Sequence, residues 1–218
     1  MKKYLLKTLL RLDNSLRHWI TYFSLENGLH PKHRLTNYHQ FFLDNIGPND
    51  TVLDVGCGLG LLAHDVAQKA RRIVGIDINQ QYLATAKTNY SHPRLTYVHG
   101  DATTFDFGEK FNVLVLSNTL EHIKYRVSFL NKLKSAGDKF LIRVPMINRE
   151  WLVLLKKELG IEYRLDTTHQ IEYTENIFRQ ELAAAGLNIT ELSVRFGEIY
   201  CVARPSPKRP QGIFTTRL

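Results

Sequence analysis

A glycine-rich segment directly after a short apolar run is the part of this chain best suited to ligand chemistry. Residues 51–60 read Thr-Val-Leu-Asp-Val-Gly-Cys-Gly-Leu-Gly, with Asp54 inside the apolar run and Gly56, Gly58 and Gly60 at alternate positions. Glycine permits a positive φ and lets a ligand approach where a Cβ would block it. Because such a loop between a strand and a helix N-terminus binds nucleotides, we expect a nucleotide-type cofactor here.

Further polar residues follow the next apolar runs. Asp77 ends the run 73–77, about 20 residues after the glycines, where a carboxylate accepts hydrogen bonds from ribose hydroxyls. Asp101 follows the next run and is placed to accept from an adenine amino group. The segment 117–122, Ser-Asn-Thr-Leu-Glu-His, follows the fourth run. All of these groups would meet at the carboxyl edge of a parallel sheet.

The glycine loop alone allows a second cofactor class. Gly58, Gly60 and Ala63 match the dinucleotide fingerprint G-x-G-x-x-G/A. A dinucleotide fingerprint begins at the end of the strand, however, so Gly56 should be its first glycine and Leu61 would then stand at the third glycine position. That register, and the lack of a role for Asp101, disfavour a dehydrogenase.

The spacing of apolar residues predicts the elements that carry these groups. Strands are predicted over 51–55, 72–76, 95–98, 112–116 and 139–144, and helices over 61–69, 79–89 and 123–134. Strands that alternate with helices indicate right-handed crossovers and a parallel sheet. The fold class is therefore α/β, a doubly wound sheet with helices on both faces.

The flanking regions predict additional elements. Helices are expected over 3–23, ended by Asn27-Gly28, and over 35–46, 149–160 and 174–185, with Thr174 as the N-cap of the last. Two runs, 188–196 and 199–203, predict an antiparallel hairpin. We divide the chain into an N-terminal helical lid (1–48), the main domain (49–204, with an insert at 146–173) and a basic, proline-containing tail (205–218).

The residues 54–60, Asp-Val-Gly-Cys-Gly-Leu-Gly, resemble the first motif of the class I S-adenosylmethionine-dependent methyltransferases. The later carboxylates and the 118–122 segment stand where further motifs of that family stand. The resemblance implies a Rossmann-like seven-stranded sheet whose last strand is antiparallel. It also implies S-adenosylmethionine as cofactor and S-adenosylhomocysteine as product.

Carried across residue by residue, the resemblance implies roles for the cofactor site. The backbone of Gly56, Gly58 and Gly60 would pack against the methionine part, and Asp54 would help to hold its amino end. The remaining roles concern the nucleoside and the reacting methyl: Asp77 for the ribose, Ile78 beside the adenine, Asp101 and Ala102 at the adenine edge, and Asn118 near the methyl group.

Three residues are candidates for the catalytic chemistry. Glu121-His122 resembles a pair in ubiquinone-biosynthesis methyltransferases, where a carboxylate three residues upstream helps to hold a metal; Asn118 stands there instead, so we predict no metal site. His169 and Tyr173, in a His-x-x-x-Tyr-Thr pattern, resemble methyltransferases of polysaccharide and natural-product gene clusters. Either could orient an acceptor hydroxyl or take its proton. The alternative for all three residues is a structural hydrogen-bonding role.

Charge and composition limit which partners and substrates this protein can have. The net charge of +8 comes from the two ends, with +5 in residues 1–40 and +4 in residues 204–218, whereas the remaining residues carry −1. We expect a small-molecule acceptor, such as a sugar, a lipid-linked compound or a natural-product intermediate, methylated on oxygen or nitrogen. Nucleic-acid methylation, favoured only by the basic ends, and a non-catalytic cofactor-binding scaffold are the alternatives.

The termini and the cysteines suggest where the chain works. Lys7, Arg11 and Asp13 interrupt the first apolar stretch, so we predict no export signal. The two cysteines form no disulfide framework, which favours the cytoplasm. The basic, amphipathic helix 3–23 is compatible with peripheral membrane contact. Either a monomer or a homodimer is compatible with the sequence.

Overall fold

The computed structural model describes residues 1–26 and 29–207, and within them seven strands form a single sheet. The strands β1 to β7 span Thr51–Val55, Arg72–Asp77, Leu95–His99, Phe111–Ser117, Gly137–Pro145, Leu187–Arg195 and Glu198–Pro205. Their order is β3-β2-β1-β4-β5-β7-β6; the first five are parallel, and β7 is antiparallel to both of its neighbours. This confirms the predicted α/β fold and its antiparallel last strand.

The helices cover both faces of the sheet and the N-terminal region. The helices α1 to α8 span Lys2–Phe23, Lys32–Thr36, His39–Asp44, Leu61–Lys69, Gln80–Asn89, Arg126–Leu133, Trp151–Glu158 and Glu175–Ala184. Short 3-10 turns lie at Leu120–His122 and Ile147–Arg149. Two apolar clusters, one on each side of the sheet, bury β1, β4, β5 and β7 almost completely, whereas the edge strands β3 and β6 are partly exposed.

Several local signals determine where the helices begin and end. The side chain of Asn79 accepts hydrogen bonds from two backbone amides at the start of α5, and Thr174 caps α8 in the same way, as predicted. Gly186, with φ of 67°, follows the end of α8. These caps place both helices within a residue or two of the predicted bounds.

Three predicted bounds differ from the structure. The helix expected over 35–46 is divided into α2 and α3, because Asn37 adopts a left-handed conformation with φ of 45°. The helix expected from 123 begins at Arg126, since a 3-10 turn precedes it. The hairpin turn is centred on Phe196 and Gly197, both with positive φ, one residue earlier than predicted. Asn27-Gly28 and the tail beyond residue 207 lie outside the described residues.

The sheet register brings the carboxyl ends of the first five strands to one edge. Val55 pairs with Ile76, Asp77 pairs with His99, and Ser117 pairs with Arg143. In open α/β sheets this edge is where ligands bind. The loops that follow β1, β2, β3 and β4 therefore lie side by side.

Candidate active site

Backbone hydrogen bonds hold the glycine loop against the end of β2. Gly56 N donates to Ile76 O at 2.8 Å, and Gly58 N donates to Asp77 Oδ2 at 2.8 Å. The second oxygen of Asp77 accepts from Asn79 N at 2.8 Å. The carboxylate is thus oriented by two amides, and its remaining lone pairs are available for ribose hydroxyls.

Two glycines of the loop are required for different reasons. Gly60, with φ of 85°, precedes α4, and a Cβ there would lie 2.2 Å from Tyr97 Oη. Gly58 also has a positive φ, of 52°, but a Cβ there would meet no atom of residues 1–26 and 29–207, its two chain neighbours apart, within 4 Å. Because Gly58 lines the main cavity, that open space is room for a ligand. Gly60 therefore serves packing, whereas Gly58 keeps the cavity wall open.

A cavity of about 800 Å³ opens at the carboxyl edge beside the glycine loop. Its volume lies in the range of small-molecule and cofactor sites. Seven of the predicted cofactor residues line it: Gly56, Gly58, Asp77, Ile78, Asp101, Ala102 and Asn118. The predicted residues from four separate loops are therefore brought to one site.

A second cavity, of about 340 Å³, lies on the other side of the glycine loop. Gly56 lines both cavities, and the predicted residues Asp54 and Gly60 line the second. The segment before α3 supplies the facing wall with Leu25, Leu29, His30, His33 and Tyr38. Sequence reasoning missed these five residues, because no motif marks them and they follow a helix expected to form a lid.

A buried ion network anchors this N-terminal segment to the sheet. Arg143, on β5, donates to both carboxylate oxygens of Glu198 at 2.7 and 2.8 Å, and Lys32 pairs with the same carboxylate. The Arg143 guanidinium lies 3.7 Å from the centre of the Tyr38 ring. Burial opposes the charge on Glu198, but the two cations outweigh it and lower its pKa. The second cavity therefore has a fixed wall.

Asp54 is the most strongly perturbed carboxylate of the glycine motif. Its side chain is 2% exposed, and Oδ2 has no hydrogen-bond partner among residues 1–26 and 29–207. Burial, with the nearby charge of Asp77, raises the pKa of Asp54 to about 7. A buried acceptor without a donor, facing a cavity, suits a ligand ammonium group.

The segment after β4 adopts a constrained conformation. Asn118 has φ of 55°, and its amide donates to Arg143 O at 2.9 Å. The Oδ1 atom of Asn118 and both oxygens of Glu121 are buried without a hydrogen-bond partner in the part of the chain that the structure describes. Burial raises the pKa of Glu121 to about 7. This region therefore concentrates unsatisfied polar groups beside the main cavity.

The structure brings His122 and His169 together. His122 lines the main cavity, and its Nδ1 lies 2.9 Å from Thr168 Oγ1. The two imidazole rings are 4.6 Å apart in an edge-to-face arrangement. Burial, and then the proximity of His169, lowers the pKa of His122. His122 is therefore neutral near pH 7 and able to accept a proton.

Tyr173, the third predicted catalytic residue, is not brought to the cavity. Its side chain is fully buried, and its hydroxyl donates to Glu181 Oε2 at 2.8 Å. Glu181 in turn pairs with Arg126. This arrangement fixes α8 against α6, since Arg126 and Glu181 belong to those two helices. The structure thus gives Tyr173 a hydrogen-bonding role in the insert rather than a place in the cavity wall.

Four large aromatic residues of the flanking helices lie at the surface, outside both cavities. Trp19, Tyr22 and Phe23 of α1, and Trp151 of α7, are each at least 54% exposed. The three residues of α1 are exposed because Leu10 is the one residue that this helix buries.

Glu121, His122 and His169 offer three atoms within 4.8 Å of one another that could coordinate a metal ion. Only one of the three is a carboxylate, and its raised pKa leaves it partly neutral near pH 7. Hard cations such as Mg²⁺ prefer several charged oxygens. The donor set therefore fits proton transfer better than it fits a hard cation, and the absence of a required metal stays a prediction.

Comparison with known proteins is consistent with this geometry. Residues 52–136 match a family model described as a methyltransferase domain. A ubiquinone biosynthesis O-methyltransferase of Rhodopseudomonas palustris (strain BisB5) is 29% identical over 154 residues, covering 65% of this chain and 60% of the relative. One from Bradyrhizobium diazoefficiens is 31% identical over 120 residues, covering 52% and 46%. The chain thus spans between about half and 60% of the length of these curated relatives.

A solved structure shares the fold. Magnesium protoporphyrin IX methyltransferase from Synechocystis, with bound SAH, aligns with a TM-score of 0.63 at 20% identity, covering 80% of this chain and 83% of that one. Residues 52–136 therefore form a methyltransferase domain. The predicted methyltransferase family and the predicted Rossmann-like fold are thereby confirmed. In this methyltransferase domain, Asp77 and Asp101 stand at the ends of β2 and β3, where the resemblance placed them.

Proposed function

We propose that this protein transfers a methyl group from S-adenosylmethionine to a hydroxyl oxygen of a small-molecule acceptor. The observation that carries the proposal is the position of His122 in the wall of the cavity that also holds the predicted nucleoside residues. A neutral imidazole there can take the proton that an attacking hydroxyl must lose. The O-methyltransferase names of the relatives support oxygen rather than nitrogen as the acceptor atom.

The residues present fit the cofactor. The open space at Gly58, the carboxylate of Asp77 and the orphaned oxygens of Asp54 and Asn118 supply a cradle, a ribose acceptor and two partners for the amino-acid end. Because Gly56 lines both cavities, the nucleoside would occupy the larger cavity and the methionine end would reach toward Asp54 in the smaller one.

The chemistry divides between the cofactor and the chain. S-adenosylmethionine supplies an activated methyl group and a good leaving group at sulfur. The cavity walls would hold the acceptor beside the bound cofactor and limit the access of water. Nδ1 of His122 is held by Thr168, which leaves Nε2 to accept the acceptor proton. His169, against the ring of His122, positions that imidazole.

Isothermal titration and labelled methyl transfer test the proposal. We expect S-adenosylhomocysteine to bind and NAD not to bind, and label from S-adenosylmethionine to appear in a hydroxylated small molecule within a mixed panel of phenols, sugars and amines. Tighter binding of NAD, or transfer to amines alone, would contradict it. Transfer to RNA with steep salt dependence would favour the nucleic-acid alternative instead.

A further inference from the structure

The outward face of α1 is a continuous apolar surface. Leu10 is the only residue of this 22-residue helix that is buried. The large apolar side chains along it are between 53% and 77% exposed: Leu5, Leu9, Leu12, Leu16, Trp19, Ile20 and Phe23. Exposed apolar surface of this extent marks an interaction site.

These residues share one side of the helix, opposite its contact with the domain. At 100° per residue they fall within an arc of about 100°. The opposite side carries Leu10 and Asn14; Asn14 Nδ2 donates to Glu162 O at 2.8 Å, and Lys156 donates to Asn14 Oδ1 at 2.7 Å. The domain therefore presents the apolar stripe outward rather than burying it.

The charge of α1 indicates the chemistry of the partner. The helix contains Lys2, Lys3, Lys7, Arg11 and Arg17, but Asp13 is its single acid. Asp13 is already paired with Lys156 and Arg17, and Arg17 also pairs with Glu150, so the positive charge offered to a partner is mainly that of Lys2, Lys3, Lys7 and Arg11. A second copy of α1 would bring these cations against one another, whereas an anionic surface would complement them.

We propose that α1 docks in the plane of an anionic lipid bilayer, with its apolar stripe among the acyl chains and its basic residues at the headgroups. Leu, Trp and Phe on one face, with Lys and Arg around the remainder of the helix, are typical of such helices. A helix of 22 residues would lie along about 33 Å of surface. Within the described part of the chain, no helix is long and apolar enough to cross a membrane.

Direct contacts connect this helix with the candidate active site. Asn14 holds the backbone of Glu162, whose carboxylate pairs with Arg164. Arg164 donates to His169 O at 3.1 Å, and His169 packs against His122. Docking would therefore place the insert, and the cavity wall it supports, beside the bilayer. This last step rests on the proposed function and favours an amphiphilic acceptor, whereas the docking itself does not depend on it.

Tryptophan fluorescence gives a direct test, because the chain has two tryptophans. The variant Trp151→Phe leaves Trp19, in the apolar stripe, as the single reporter. We expect its emission to shift to the blue with vesicles of 30% phosphatidylglycerol in phosphatidylcholine, and much less with pure phosphatidylcholine. Raising the salt concentration should weaken binding, since lipid charge contributes to it.

Vesicle flotation of matched variants separates the two contributions. Leu9→Ser/Leu12→Ser/Leu16→Ser should lower the affinity for anionic vesicles at least about tenfold by removing apolar contact. Lys3→Glu/Arg11→Glu should lower it similarly at low salt. The control Val194→Ser/Phe196→Ser alters exposed apolar residues of the β6–β7 hairpin and should bind as the parent does.

Thermal unfolding checks that each variant folds, and it does not depend on cofactor binding or activity. No blue shift and no flotation with anionic vesicles would overturn the proposal. If the parent protein is a dimer that does not bind vesicles, and the triple leucine variant is a monomer, the apolar stripe is instead a surface for self-association. If the protein binds anionic vesicles but transfers no methyl group, the docking proposal is supported and only the proposed function is contradicted.

Discussion

Two halves of the candidate site are built in different ways. In the cofactor half, which comprises residues 56–60, Asp77 and Asp101, the key contact joins Gly58 to Asp77, 19 positions apart. In the cap half, which comprises residues 29–38, the ends of β4 and β5 and the insert 146–173, Lys32 pairs with Glu198 across 166 positions and His122 contacts Thr168 across 46. Backbone turns form most of the cofactor half, whereas side chains that are far apart in the sequence form the cap half.

That difference teaches which half is open to variation. The cofactor half depends on φ values, amides and carboxylates that consecutive strand-loop units between residues 51 and 101 supply. The cap half depends on charges and rings that meet only after the sheet has formed. A change in the cap half can therefore alter the acceptor site while the cofactor half stays intact, which suits a fold that serves many acceptors.

The largest expected effect concerns the ion network that anchors the cap half. Glu198→Gln leaves Arg143 and Lys32 without their carboxylate in a buried site, so we expect a loss of about 3–5 kcal/mol in the free energy of unfolding. Because the pKa of Glu198 is lowered in the folded state, its contribution is present at neutral pH and is lost as the pH falls through that lowered pKa. Denaturant unfolding at several pH values measures both the loss of stability and its pH dependence.

A matched control for this network is Glu191→Gln, an exposed acid on β6. It should change the free energy of unfolding by less than about 0.5 kcal/mol. Equal effects of the two substitutions would show that the cap half is not held by its buried charges.

The next effect separates chemistry from cofactor binding. His122→Gln should lower kcat by about 100- to 1,000-fold, because the acceptor hydroxyl loses its base. The Kd for S-adenosylhomocysteine should change by less than about twofold, since His122 belongs to the cap half. His18→Gln, an exposed histidine of α1, should leave both values unchanged. An unaltered kcat in His122→Gln would assign the proton transfer elsewhere.

A substitution in the cofactor half should have the opposite pattern, with weaker cofactor binding as the main effect. Asp77→Asn should weaken S-adenosylhomocysteine binding by about 10- to 100-fold, through loss of charge-assisted hydrogen bonds to the ribose. Titration calorimetry measures this, and thermal unfolding checks that the loop is retained. Asp106→Asn, in an exposed loop outside the main cavity, is the control. Equal affinities of the parent and Asp77→Asn would refute the ribose role.

A smaller effect should appear in the pH dependence of cofactor binding. Since the pKa of Asp54 is raised to about 7, its carboxyl is mostly protonated at pH 6 and mostly ionised at pH 8. The ligand ammonium favours the ionised form, so affinity for S-adenosylhomocysteine should rise by about five- to tenfold over that interval. The profile should be flat in Asp54→Asn. A parent profile that falls with pH would contradict this assignment.

The smallest expected effect is that of metal removal. Treatment with EDTA should change kcat by less than about twofold, because Glu121 is the one carboxylate in the only metal-compatible cluster of the described residues. Loss of activity on chelation, restored by Mg²⁺ in the parent but not in Glu121→Gln, would assign that cluster a metal role.

Particular residues show how far sequence reasoning reached. The strand-helix alternation, the glycine loop and the cap of α8 follow from patterns within about ten residues of each feature. The contribution of His33 and Tyr38 to the second cavity had no such signal, because it depends on Arg143 and Glu198 far along the chain. Tyr173 shows the opposite case, since a suggestive spacing pointed to a residue whose hydroxyl the fold holds in a hydrogen bond to Glu181, away from the main cavity.

The sequence by itself determined the α/β alternation, the glycine loop and the carboxylates at the strand ends, because apolar periodicity and positive φ are local properties. Only the tertiary structure decided that His122 meets His169, that Glu198 anchors the N-terminal segment and that the apolar stripe of α1 faces outward. An amphipathic helix in a sequence shows that one face is apolar; which surface covers that face is a long-range outcome of packing.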